Sequence, residues 1–102
     1  MPLSQDVRVD IDNNTLVWKT ITCQLTPNQA VLVKYLVDNQ HRWVHSDTLM
    51  QILYGAEGGP ESQILSVMIS YVRRRLRDAE IPLVLESGWH NNAGGFRYRA
   101  RY

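Results

Sequence analysis

The 102-residue sequence predicts an α+β domain, on three observations. Its opening alternates apolar and polar residues with the period of two that marks half-buried strands. Its middle holds three segments of helical periodicity, and its end returns to period two. The predicted order is β-β-β-α-α-α-β-β. Strands lie within about 7–25, helices over about 27–39, 47–54 and 61–79, and a hairpin over about 83–101. No internal repeat, low-complexity tract or linker divides the chain, so residues 1–102 read as one domain with one modest core.

"VRVDID" sets Val7, Val9 and Ile11 against Arg8, Asp10 and Asp12, and "DNN" supplies a turn. "TLVWKT" and "ITCQL" follow as two short strands, with Ile21, Cys23 and Leu25 on one face. Together they predict a three-stranded antiparallel sheet. The first helix begins with a capping box: Thr26 as N-cap, Pro27 at the first helical position, Gln29 three residues on. Leu32, Val33, Leu36 and Val37 form its apolar face, and Asn39 ends it. In "SDTLMQILYG", Ser46 reads as the cap and Asp47 favours the positive helix end. Leu49, Ile52 and Leu53 are expected to face the core there, and Gly55 to terminate. In the third helix, Leu65, Ile69, Val72 and Leu76 fall in a narrow stripe at 100° per residue. Gln63, Ser66, Ser70, Arg73, Arg74 and Arg77 share another sector, with Val67 near its edge. After Pro82, "LVLES" and "GFRYRARY" read as strands joined by "GWHNNAGG". Arg97, Arg99 and Arg101 alternate along one face of the last strand.

Composition is that of an ordinary soluble globular domain. No apolar run approaches the ~20 residues that span a bilayer. The N-terminus has neither the basic nor the apolar region of a secretory signal. The single cysteine, Cys23, has no internal disulfide partner. These features lead us to expect a cytoplasmic protein without membrane association. The net charge of +1 hides an asymmetry. Residues 1–61 carry four basic side chains against seven acids, whereas residues 62–102 carry seven arginines against three acids. Every basic residue of the second part is Arg, the side chain suited to phosphates and guanine edges.

"ISYVRRRLRDAE" concentrates four of those arginines near a helix C-terminus, where cations also meet the macrodipole favourably. A merely solvated face would more often mix Glu with Lys. This one presents short polar groups, then cations, with no acid between Ser62 and Arg77. A helix pair, a third helix with a polar and basic outward face and a basic hairpin make up the order of a winged helix-turn-helix. Such a third helix suits the DNA major groove.

From about Val7 onward the chain resembles the OmpR/PhoB-type effector domain of bacterial response regulators. Leu25-Thr26…Gln29…Leu32-Val33…Leu36 echoes that family's "LTxxE…LLxxL". "WVHSDTLMQILYG", residues 43–55, echoes "VVSRExLxxxVWG", and "QILSVMISYVRRRL", residues 63–76, aligns without a gap to "RTVDVHIxxLRxxL". The resemblance implies base-reading and phosphate-binding roles for Gln63, Ser66, Val67, Ser70, Tyr71, Arg73 and Arg74, with Tyr54 as a phosphate neighbour. By their chemistry, Gln63 suits an adenine edge, Val67 a thymine methyl, and Arg74 a guanine or phosphate. Arg73 and Arg77 suit phosphate positioning, and the wing adds His90, Asn91, Asn92 and Arg97. The resemblance also implies possible RNA polymerase contact through loop 54–61, and a homodimer or tandem dimer on DNA.

The sequence departs from the family in three ways. It shows no receiver domain, so a stand-alone effector domain of bacterial or phage origin is expected. Gln63, Ser66 and Ser70 replace residues that are often Arg or Asp in the family, which implies a different site preference. The wing is longer than the family's "RGxGYR", and its Trp89 is open to three roles: DNA insertion, partner contact or packing on the hairpin. Arg75 lies off the basic sector and is expected to pair structurally, and Trp18 and Trp43 to sit at the core or its edge. Cys23 alternates with Ile21 and Leu25 as a small buried hydrophobe, the histidines lack metal-ligand spacing, and no glycine-rich phosphate loop is present. No enzyme, cofactor or metal site is expected. The expected function is sequence-specific binding of double-stranded DNA in transcription regulation. The alternative is a winged helix that binds polymerase or another regulator.

Overall fold

A computed structural model describes residues 7–55, 63–89 and 96–101. Strands β1 (Val7–Asp10), β2 (Thr15–Trp18) and β3 (Ile21–Gln24) form an antiparallel sheet in the order β1-β2-β3. Helices α1 (Pro27–Asp38), α2 (Ser46–Tyr54) and α3 (Gln63–Asp78) follow, with the short strand β4 (Val44–His45) between the first two. The hairpin of β5 (Val84–Trp89) and β6 (Phe96–Arg101) completes a second antiparallel sheet in the order β4-β6-β5. The architecture is the winged helix-turn-helix expected from the element order.

One core joins both sheets to the helices. Leu16 of β2, Leu32, Val33 and Leu36 of α1, Leu49 of α2, and Leu65, Ile69 and Val72 of α3 are its most deeply buried large side chains. The second sheet closes it with Val44, Leu85, Tyr98 and Ala100. The α3 stripe is as expected: Leu65, Ile69, Val72 and Leu76 are buried, joined by Met68. The α1 capping box is also formed, with the Gln29 N–H donating to Thr26 Oγ1 (3.3 Å) and the Thr26 N–H to Gln29 Oε1 (3.1 Å). Gly55 ends α2 at φ +84°, a backbone conformation that suits glycine.

Four local expectations are corrected. The first strand stops at Asp10, whose carboxylate accepts from the N–H groups of Asp12 and Asn13 and from Asn13 Nδ2. This turn carries Ile11 into solvent, at 41 % exposure, although it continues the period-two pattern. His45, not Ser46, is the N-cap of α2: its Nδ1 accepts from the Asp47 N–H at 3.0 Å, while Ser46 is buried as the first helical residue. Ile52 is exposed, because Leu49 and Leu53 already cover the α2 face that meets the core. Strand β4 was not anticipated. Two residues show no periodicity, and it exists because β6 offers a second edge, where Val44 opposes Tyr98 and His45 opposes Arg97.

Thr26→Ala should remove one half of the capping box and lower unfolding free energy by about 1 kcal/mol. Urea denaturation should show this as a lower midpoint with an unchanged slope.

Candidate nucleic-acid interface

Helix α3 is sixteen residues long, which at 1.5 Å per residue is roughly 24 Å. Because its stripe of Leu65, Ile69, Val72 and Leu76 is locked in the core, its rotation is fixed and the opposite face is committed to solvent. That face carries Ser66, Val67, Ser70, Tyr71 and Arg74, which together line one open depression. Val67 is 48 % and Tyr71 57 % exposed. They stand four residues apart, an apolar pair on an otherwise polar surface. Arg74 and Arg77 extend the face toward the helix C-terminus, both exposed. Gln63 opens the helix. The face thus offers hydroxyls, apolar contact and cations in sequence along one side of a rod, the chemistry that reads base edges and binds phosphates.

Tyr54, the last residue of α2, is half-buried, and its hydroxyl lies 3.4 Å from Asn28 Nδ2 near the start of α1. His90, Asn91 and Asn92, and most of the loop between α2 and α3, lie outside the described residues.

Two arginines take positions that the sequence did not indicate. Arg73 is half-buried, and it does not join the open face. Its Nε and Nη2 donate to the carbonyl of Leu85 at 2.8 and 2.6 Å, and Nη2 also reaches Ser87 Oγ at 3.3 Å. The expected phosphate-positioning residue is thus fastened to the wing. Arg97 lies on the sheet face away from the core, since Tyr98 and Ala100, its alternate neighbours, point inward. Its guanidinium sits 4.8 Å from the Trp43 ring centroid, and Arg99 sits 4.3 Å from the same ring. Arg97 Nε is buried without a hydrogen-bond partner among the described residues, and the Trp43 ring lies against the guanidinium.

Glu86, across from Arg99 in the hairpin, was not singled out by sequence. It pairs with Arg99 at 2.6 Å and with Arg101 at 3.1 Å. Cross-strand spacing would have found it once the register was known. The Arg101 and Arg99 guanidinium groups hold its carboxyl below the usual carboxylate range. Arg75 turns toward β3, beside Cys23. Burial pushes the Cys23 thiol up and Arg75 pulls it the other way, and the side chain packs in the core as a small hydrophobe.

Helix pair, projecting third helix and hairpin define a winged-helix DNA-binding domain. Residues 21–89 match the family model described as transcriptional regulatory protein, C terminal, and the chain belongs to this family. It is a DNA-binding transcription regulator. Among solved structures, the fold is similar to the DNA-binding domain of Bacillus subtilis CssR. That match has a TM-score of 0.72 and 14 % identity, over 94 % of this chain and 100 % of that one. It is also similar to the response regulator AdeR DNA-binding domain, solved in complex with an intercistronic region, with a TM-score of 0.69 and 17 % identity over 91 % and 92 % of the two chains. A third similar structure is the C-terminal domain of the nisin resistance regulator NsrR, with a TM-score of 0.65 and 12 % identity over 88 % and 87 %. No curated protein sequence matches the chain significantly. No helix among the described residues is long and apolar enough to cross a membrane.

The lowered carboxyl of Glu86 gives stability a pH dependence of definite sign. A group with a depressed folded pKa contributes fully above its unfolded value and loses that contribution as pH falls through the folded one. Melting curves across the acid range should therefore show Glu86→Gln less stable at neutral pH, with the gap to the parent closing as the pH falls through the lowered value.

Proposed function

We propose that the chain binds double-stranded DNA sequence-specifically, with α3 in the major groove and the wing on the flanking backbone or minor groove. The observation that carries this reading is the exposed face of α3: Ser66, Val67, Ser70 and Tyr71 followed by Arg74 and Arg77, held outward by a fully buried stripe on the other side. Family membership supports it, as does the similarity to a DNA-binding domain solved in complex with an intercistronic region.

In this reading Val67 meets a thymine methyl, Gln63 an adenine edge, and Arg74 a guanine or phosphate, with Arg77 on the backbone. Ser66, Ser70 and Tyr71 complete the helix contacts, and Tyr54 approaches a phosphate from the end of α2. His90, Asn91 and Asn92 contribute from the wing. Arg97, stacked on Trp43, adds its charge to the wing's backbone contacts. The activity is binding rather than catalysis, in the cytoplasm, with pairing of copies on DNA and polymerase contact through loop 54–61 as accompanying proposals.

Selection of bound duplexes from a random pool, at low and at physiological salt, tests the reading. A recurring motif should survive at the higher salt. Arg74→Ala should weaken binding and, if that side chain meets a phosphate, reduce the slope of log affinity against log salt by about 1. Retention of no duplex at either salt would overturn the proposal and favour a protein-binding role.

A further inference from the structure

We propose that Arg73 is a positioning residue, which sets the wing against the recognition helix and so fixes the spacing between the two DNA contacts. The inference rests on the DNA-binding reading above. Arg73, Arg74 and Arg75 are consecutive and chemically identical, yet each meets a different surface, because successive helical residues point about 100° apart. Arg74 is on the open face, Arg75 is beside Cys23, and Arg73 reaches the wing.

The acceptor explains why an arginine is needed there. Strand β5 is an edge strand, with β6 on one side only. Leu85 opposes Ala100, whose carbonyl accepts from the His41 N–H on the other side of β6. In an antiparallel ladder the N–H and C=O of one residue point the same way, so Leu85 and Ala100 form a non-hydrogen-bonded pair. The Leu85 carbonyl is therefore turned out from the sheet, where no strand among the described residues supplies a donor. Arg73 supplies two, both to that oxygen, and its third contact, at Ser87 Oγ, lies two residues along the same edge. Buried Tyr98 stands opposite Ser87 in the register, and cross-strand partners share a face, so the contact to Ser87 Oγ sets the guanidinium on the core side of the wing. A planar fork with converging donors makes this clamp, and a lysine ammonium cannot reproduce it.

Without the clamp, Leu85, Tyr98 and Ala100 still hold the base of the hairpin in the core, but the outer edge of β5 loses its tie to α3 and the outer part of the hairpin can bend away. Helix and wing would then engage DNA as two loosely tethered sites instead of one preorganised surface.

Binding and hydroxyl-radical footprinting of the full chain on its selected duplex test this, with Arg73→Ala, Arg73→Lys and Ser87→Ala beside Arg74→Ala. Circular dichroism melts accompany each variant. Arg73→Ala and Arg73→Lys should both lose roughly tenfold in affinity, with the salt slope unchanged, protection lost on the wing side and kept under α3. Ser87→Ala should weaken the wing-side protection more mildly. A merely unstable protein would instead lose the whole footprint uniformly. If the parent binds while Arg73→Lys matches it and Arg73→Ala lowers the slope by about 1, Arg73 is a phosphate contact and the inference is overturned. If Arg73→Ala is unfolded, Arg73→Lys and Ser87→Ala carry the test, and an unchanged footprint in both overturns it. Failure of the parent to bind any duplex would overturn the DNA reading instead.

Discussion

The burial of one stripe of α3 is the constraint on which the rest of the molecule depends. Leu65, Ile69, Val72 and Leu76 meet the core at no more than 3 % exposure. A rotation of α3 by one residue, about 100°, would drive Ser66 or Arg73 toward the same space. The cost of burying such groups unpaired holds the helix in a single orientation. Display of Val67 and Tyr71 is the other side of that constraint: two apolar side chains remain in water because the helix cannot turn to hide them.

The arginines show how formal charge differs from available charge. Residues 62–102 hold seven, but the structure distributes them by partner. Glu86 takes Arg99 and Arg101, Trp43 carries Arg97 and Arg99 on its ring, and Leu85 holds Arg73. Arg75 lies beside Cys23, and Arg74 and Arg77 remain as the exposed cations of the face that carries Val67 and Tyr71. The positive field of the interface is consequently centred on the C-terminal part of α3, while the outer face of the second sheet is a self-contained lattice of stacked and paired groups. Such a lattice stiffens the wing, since cation–π and cross-strand ion pairs act in the same place.

Much of the fold could be read from the chain because it is written in local chemistry. The Thr26–Gln29 capping box, the α3 stripe and the terminating Gly55 involve residues within a few positions of one another, and all three are in the structure as expected. The candidate face was legible for the same reason in Ser66, Val67, Ser70 and Arg74, which helix geometry sets apart from the buried stripe, whereas Tyr71 was indicated by the family resemblance and Arg73, placed in the same sector, is turned to the wing. Ile11 and Ile52 escaped the pattern because periodicity reports which face is apolar, not how far the element or its partner extends. The Asp10 turn ends β1 before Ile11, and Leu49 and Leu53 already cover the side of α2 that meets the core.

Residue order alone, then, set the helices, the capping box of α1 and the polarity of each face, since these depend on side chains one to four positions apart. Folding in three dimensions settled which neighbours the long side chains find. Strand β4 exists because β6 has a free edge, and His45 displaces Ser46 as a cap because β4 holds it beside α2. Arg73 and Arg74, adjacent and identical, differ in surroundings because a carbonyl twelve residues from Arg73 is turned out from a strand edge. An arginine reaches several ångströms with donors in many directions, so its partner is decided by the packing around it and not by its place in the chain.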